Sequence, residues 1–179
     1  MNLATVRKED PPVIDENDPP IKIPDEWEDD DPFLEAPELR NIALRLIDAK
    51  PILAHLVGAG IYFCWKQKGG SHKGESIYGA AMKLPALTRH FADAQYLIWL
   101  AADHLLEDPH VVSGFADRRT IERLLTHELL HLGWNPEKGE IVMVDHDFSG
   151  FLAELREFGP WHGKLQAMAV VMKQMNLPL

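Results

Sequence analysis

Cysteine is almost missing from this sequence: Cys64 stands alone. A single thiol excludes an internal disulfide framework and any zinc site built from several cysteines, so packing must hold the fold together. Long apolar runs are missing as well, and none approaches the roughly 20 residues that a bilayer-spanning helix needs. Residues 1–8 contain neither an apolar signal segment nor a small-residue cleavage site, so no signal peptide is expected and the expected location is the cytoplasm. Basic charge is scarce overall, with 18 Lys and Arg against 28 Asp and Glu. That balance does not suggest a nucleic-acid-binding face.

The acidity is unevenly placed. Residues 1–32 hold Arg7, Lys8 and Lys22 against eleven acidic side chains, a balance of −8, which leaves only −2 of the net −10 for residues 33–179. The same 32 residues hold six of the thirteen prolines and no glycine. Such a stretch favours extended, solvated backbone and cannot bury enough surface to offset its conformational entropy. The expectation is a disordered acidic tail over residues 1–32, able to dock a basic partner, with Ile21, Ile23, Trp27 and Phe33 tacking its end onto a domain over residues 33–179. That domain has the means for a core, since the chain is 46% hydrophobic and carries five Trp and seven Phe.

Periodicity in the domain points to an α+β fold with a small, mostly antiparallel sheet packed against helices. Leu39, Ile42, Ala43, Leu46 and Ile47 recur at helical spacing, ended by Pro51. Residues 61–65 and 76–82 read as strands joined into a hairpin across the glycine-rich stretch 66–74. Residues 96–100 form an apolar run expected as a buried central strand. A helix is expected from residue 118 to about 132, then a break at Gly133, Asn135, Pro136 and Gly139, and a short strand over 140–144. Phe148, Phe151, Leu152, Leu155 and Phe158 mark one face of a further helix closed by Gly159-Pro160. Trp161, Leu165, Met168, Ala169, Met172 and Met175 suggest a last one.

The chemistry lies in Thr126-His127-Glu128-Leu129-Leu130-His131. Two histidines four residues apart on a helix project from one face, one turn apart, and can bind one metal ion. Glu128 then sits beside the metal, where it can accept a proton from a bound water instead of coordinating. A competing interpretation is an amphipathic helix with two ordinary histidines, which requires other buried partners for two His and one Glu. The long metzincin pattern is excluded because Trp134 and Glu137 stand where it needs Gly and His. His146, at the end of the 140–144 strand, is the preferred third ligand, completing three imidazoles and an open fourth position. Glu154 and Glu157 are the alternatives, and Asp145 or Asp147 is placed to orient the His146 ring. Three imidazoles suit Zn2+ but also accept cobalt, nickel or copper. Weaker candidates are His162, Arg156 and Tyr78 as oxyanion stabilisers. Lys66, Lys68, Lys73 and His72 around the glycine-rich turn are read as a solvated turn, and Cys64 as a packing residue.

With these parts in this order, residues 38–162 resemble the metallopeptidases encoded by phages and prophages, small zincins distantly similar to SprT-like protease domains. The resemblance rests on the strands around Trp65 and Gly79, the 96–100 strand, the 126–131 motif, His146-Asp147, the aromatic helix with Phe151, and Phe158-Gly159. In SprT-like domains a histidine after the active helix, followed closely by an aromatic on a helix, is the third ligand, and His146 with Phe148 and Phe151 matches that arrangement. The resemblance implies a minimal zincin-like domain, a protein or peptide substrate and, for a phage gene, the bacterial host cytoplasm. The chain lacks the cysteine-rich zinc ribbon of SprT-like proteins, so their action on DNA-bound proteins is not carried over. The expected activity is peptide-bond hydrolysis by a metal-activated water with Glu128 as general base. The alternatives are a non-catalytic zinc-stabilised binding or virion protein, and a regulatory protease specific for one repressor.

Overall fold

The computed structural model of the protein describes residues 18–28, 30–109, 111–146, 151–161, 163, 165–166 and 169–170. In chain order these form β1 (Ile21–Lys22), β2 (Phe33–Glu35), α1 (Pro37–Ala49), a 3-10 helix (Pro51–Leu56), β3 (Ile61–Lys66), β4 (Ser71–His72), β5 (Glu75–Ser76) and β6 (Gly79–Lys83). There follow α2 (Ala86–Phe91), β7 (Tyr96–Ala101), α3 (Ala102–Leu106), β8 (Phe115–Ala116), α4 (Arg118–Leu130), β9 (Leu132–Asn135), β10 (Glu140–Met143) and α5 (Leu152–Phe158). Among the described residues no helix is long and apolar enough to cross a membrane.

The main sheet has the order β2-β3-β7-β6, antiparallel at both edges and parallel between β3 and β7. The α+β class and the central place of the 96–100 run are as expected from the sequence. The expected hairpin between residues 61–65 and 76–82 is not formed, because β7 lies between the two strands. The reason is burial. Phe63 and Trp65 of β3 stand in register with Ile98 and Leu100 of β7, and all four are nearly or fully buried. The small, half-exposed Gly-Ala-Ala of β6 suits the edge. The glycine-rich stretch instead folds on itself as the short β4–β5 hairpin, turned by Lys73 and Gly74 with φ of 51° and 81°. Two successive left-handed residues are what a type I′ turn demands.

Helices α1 and α4 pack on one face of the sheet. Leu39, Ile42, Ala43, Leu46 and Ile47 of α1 are buried as their spacing predicts, against Ile121, Leu124, Leu125 and Leu129 of α4. Each fully buried Leu or Ile contributes about 1.5–3 kcal/mol. Asp117 caps α4 by accepting from the Thr120 amide at 2.9 Å. On the opposite face Cys64 packs with Trp99 and Ala101, and burial pushes its thiol up to about 11, as suits a packing residue.

The leader meets the domain from Asp18 onward. Asp18 pairs with Arg118 and Arg45, β1 pairs with β8, and Ile23 is fully buried. Ile21 and Trp27 pack beside it. Phe33 joins through the backbone of β2 instead, its side chain largely exposed. The part of the expected tail over residues 1–17 lies outside the described residues, as do Asp147, Phe148, His162, Met168, Met172 and Met175.

Candidate metal centre

The motif sits at the end of α4, not in its middle: His127 is in the last turn and His131 is the C-cap. The expected break after the helix is instead a tight hairpin. Strand β9 begins at Leu132, directly after the cap, and pairs antiparallel with β10. Asn135 makes the turn by accepting from the Glu137 and Lys138 amides at 3.0 and 3.2 Å, and Gly139 supplies a φ of 63°. The hairpin closes where it opened, since the Val144 amide donates to the His131 carbonyl at 2.9 Å. Two residues later His146 lies beside the end of α4. Gly133 lets the two strands approach this closely, because a Cβ there would stand 2.7 Å from a Val144 methyl.

The result brings together the three histidines that the sequence singles out. One ligand atom from each of His127, His131 and His146 lies within 4.8 Å of the others. The His146 and His127 Nε2 atoms are 3.0 Å apart. Nδ1 of His131 lies 2.8 Å from the Val144 carbonyl, which can only accept, so that nitrogen carries the hydrogen and Nε2 keeps its lone pair in the neutral ring. Nδ1 of His127 lies 2.8 Å from Glu154 Oε2, which fixes the same tautomer. Phe151, buried at the start of α5, places its ring edge-on to all three imidazoles at centroid distances of 5.4, 4.9 and 5.1 Å. A carboxylate and a carbonyl stand behind two of the imidazoles and take up their Nδ1 atoms, and the group of three could hold a metal ion.

The two alternative ligands are engaged elsewhere. Glu154, fully buried, accepts from His127 with Oε2 and from the Trp161 indole at 2.5 Å with Oε1. Glu157 forms an ion pair with Lys50. Among the weaker candidates, Tyr78 lies with its ring 5.7 Å from that of His104, and Arg156 is exposed. Lys66 stacks over Trp99 at 4.3 Å, while Lys68, Lys73 and His72 are exposed as a solvated turn requires.

Glu128 is buried between α4 and the edge strand. Its carboxylate accepts a backbone hydrogen bond from Ala81, and Gly79 leaves it room: a Cβ there would stand 2.9 Å from Oε1. The other oxygen, Oε2, is buried and has no partner among the described residues. Burial pushes its pKa up to about 7, against the lowering influence of His127 and Ala81. His146 falls to about 4, through burial first and then the adjacent His127 and His131 rings. His131 is lowered chiefly by burial. Burial also pulls His127 down, but the hydrogen bond to Glu154 and the nearby Glu128 and Glu154 carboxylates outweigh it and leave the ring above its ordinary value. In return the same hydrogen bond, with those from Trp161 and Phe151, holds Glu154 below the usual carboxylate range despite its burial.

A family model described as "Putative phage metallopeptidase" matches residues 31–176. The chain belongs to this family. A metallopeptidase implies a metal and a protein or peptide substrate, and the three-histidine cluster could hold such an ion. No curated protein and no solved structure matches the chain. Sequence reasoning misses the groups that touch the site's side chains from elsewhere: Ala81, which donates to Glu128, Gly79, which leaves it room, and Trp161, which donates to Glu154. None carries a local signal, because each acts from an element distant in sequence. Glu154 is legible in the sequence as an alternative ligand, and the fold sets it behind His127 as a hydrogen-bond partner.

Proposed function

We propose that the chain is a zinc-dependent peptidase in which His127, His131 and His146 hold the ion and Glu128 is the general base. The observation that carries this reading is the pairing of three clustered imidazoles with a buried carboxylate, one oxygen of which has no partner among the described residues. A zinc ion on the three rings supplies Lewis acidity, which acidifies water and polarises a peptide carbonyl. Glu128 handles the protons: it accepts one from the water that adds to the carbonyl carbon and delivers it to the departing amine nitrogen. Its pKa near neutrality suits both transfers. Glu154 keeps His127 in the tautomer that leaves Nε2 free, and the Val144 carbonyl does the same for His131. Phe151 covers one side of the cluster with its ring edge-on to all three imidazoles.

Strand β6 offers the substrate a backbone edge. The Ala101 amide donates to the Tyr78 carbonyl and the Leu84 amide to that of Gln95, so the alternation of an antiparallel ladder turns the Gly79, Ala81 and Lys83 amides away from β7; Ala81 gives its amide to Glu128, and the edge offers those of Gly79 and Lys83. An extended peptide added along this edge passes the Glu128 carboxylate. The test is metal content by elemental analysis together with peptide cleavage. Wild type should carry about one ion per chain, and His146→Ala should lose most of it. Glu128→Gln should keep the ion and lose turnover; full cleavage in that variant would sink the mechanism, and full metal in His146→Ala would sink the ligand set.

A further inference from the structure

We infer that Lys50 is a positioning residue of the metal centre: its buried ammonium clamps the helix that carries His127 to the helix that carries Glu154. This rests on the metal-centre reading above. Lys50 follows the last residue of α1 and precedes Pro51, which bars residue 50 from helical geometry; its backbone is extended, with φ −107° and ψ 112°. The side chain is thereby turned inward, and Lys50 is only 8% exposed. Its Nζ donates to Thr126 Oγ1 at 3.1 Å and to the Glu157 carboxylate, and lies 4.6 Å from the centroid of the Phe158 ring. Thr126 is buried and immediately precedes His127 on α4. Glu157 lies one turn after Glu154 on α5, where residues three apart share a face.

One cation therefore joins α4 and α5 within a turn of the bond between His127 and Glu154. Helix α5 has seven residues, too few to hold its shape or place unaided. Its placement depends on tertiary ties, and the ammonium is a charged one, set one turn along α5 from Glu154. Without it, Glu157 and Thr126 lose their donor, α5 is freer to drift, and the Glu154 carboxylate no longer stays fixed behind His127. Carboxylates placed behind a metal-binding histidine commonly govern metal affinity by about 10–100-fold.

The test is zinc affinity of the full chain, measured by competition with a chromophoric chelator, with apo unfolding followed alongside. Lys50→Met and Glu157→Gln should each weaken zinc binding about tenfold while the apo protein remains folded at the titration temperature. Lys50→Arg should recover most of the affinity. In a Glu154→Gln background, adding Lys50→Met should cost little more, because the route through Glu154 is already cut. Should Lys50→Met fail to fold, Glu157→Gln, whose side chain is 40% exposed, carries the test. Wild-type affinity in the variants, or an equal loss with and without Glu154, overturns the inference while leaving the metal centre intact. A wild-type chain that takes up no zinc overturns both.

Discussion

Replacing Glu128 by Gln should abolish turnover and also make the metal-free protein more stable at pH 8, but not at pH 5. Burial moves the carboxyl from 4.5 to about 7. At about 1.4 kcal/mol per pKa unit, holding this group ionised inside the fold costs about 3 kcal/mol. The sign follows from proton binding. The folded chain holds the Glu128 proton more tightly than the unfolded chain does. The associated stability is therefore complete below pH 4.5, falls as the pH rises toward about 7, and stays lost above it. A glutamine never ionises and escapes that loss. It does introduce an amide nitrogen where Oε2 already lacks a partner among the described residues, which costs about 1–2 kcal/mol.

The net expectation is a variant about 1–2 kcal/mol more stable than wild type at pH 8 and no more stable, or slightly less so, at pH 5. Urea unfolding of chelator-treated protein at the two pH values measures this directly. Chelation matters because a cation beside the carboxylate would favour its charged form. A difference between the two proteins that does not change with pH would refute the burial argument, whatever happens to activity. A crossing would mark Glu128 as a group kept at a cost in stability, as a proton-transfer residue is.

Gly79→Ala should keep the metal and cut cleavage by tenfold or more, because the new Cβ stands 2.9 Å from Glu128 Oε1 and 3.0 Å from the Trp99 carbonyl; metal content and kcat measured on one preparation separate the two effects. Zinc affinity should fall about tenfold per pH unit once the pH drops below the raised pKa of His127, since one proton must then be displaced per ion, and more steeply only as the pH nears the depressed pKa values of His131 and His146. A slope of two or three protons near neutrality, in a chelator competition run across pH, would contradict the lowered pKa values of His131 and His146. Ile23→Ala should destabilise the chain by about 2–5 kcal/mol in urea unfolding, because the side chain is fully buried. A loss below 1 kcal/mol would mean that the leader's anchor contributes little to the fold.

What could be read from the sequence was whatever depends on near neighbours in the chain. Helix α1 announces itself through five apolar residues at helical spacing, all of them buried. Strand β7 announces itself through an unbroken apolar run that only a central strand can hide. The pairing of strands is not local, and there the reading failed. Residues 61–65 and 76–82 sit close enough in sequence to suggest a hairpin, but a hairpin would leave β7 at an edge with one flank open. Placing β7 between them buries Ile98 and Leu100 completely. The parallel β3–β7 pair requires a long crossover, and the chain supplies one that contains β4, β5, β6 and α2.

The centre divides along the same line. His127, Glu128 and His131 belong to one helix, so their spacing alone places them. His146 was within reach because a short hairpin returns the chain to its starting point, and the turn residues between Gly133 and Gly139 hint at such a return. The residues that adjust these groups carry no such signal, since they come from separate elements: Ala81 and Gly79 from the sheet edge, Trp161 from the far end of the chain, Lys50 from the end of the first helix; Glu154 is legible only as a carboxylate able to ligate, not as the partner of His127. A motif read along a helix therefore identifies the groups that can bind a metal and move a proton. The fold decides which of their atoms are left for such work: Nε2 on His127 and His131, because Nδ1 is taken, and Oε2 on Glu128, which has no partner among the described residues.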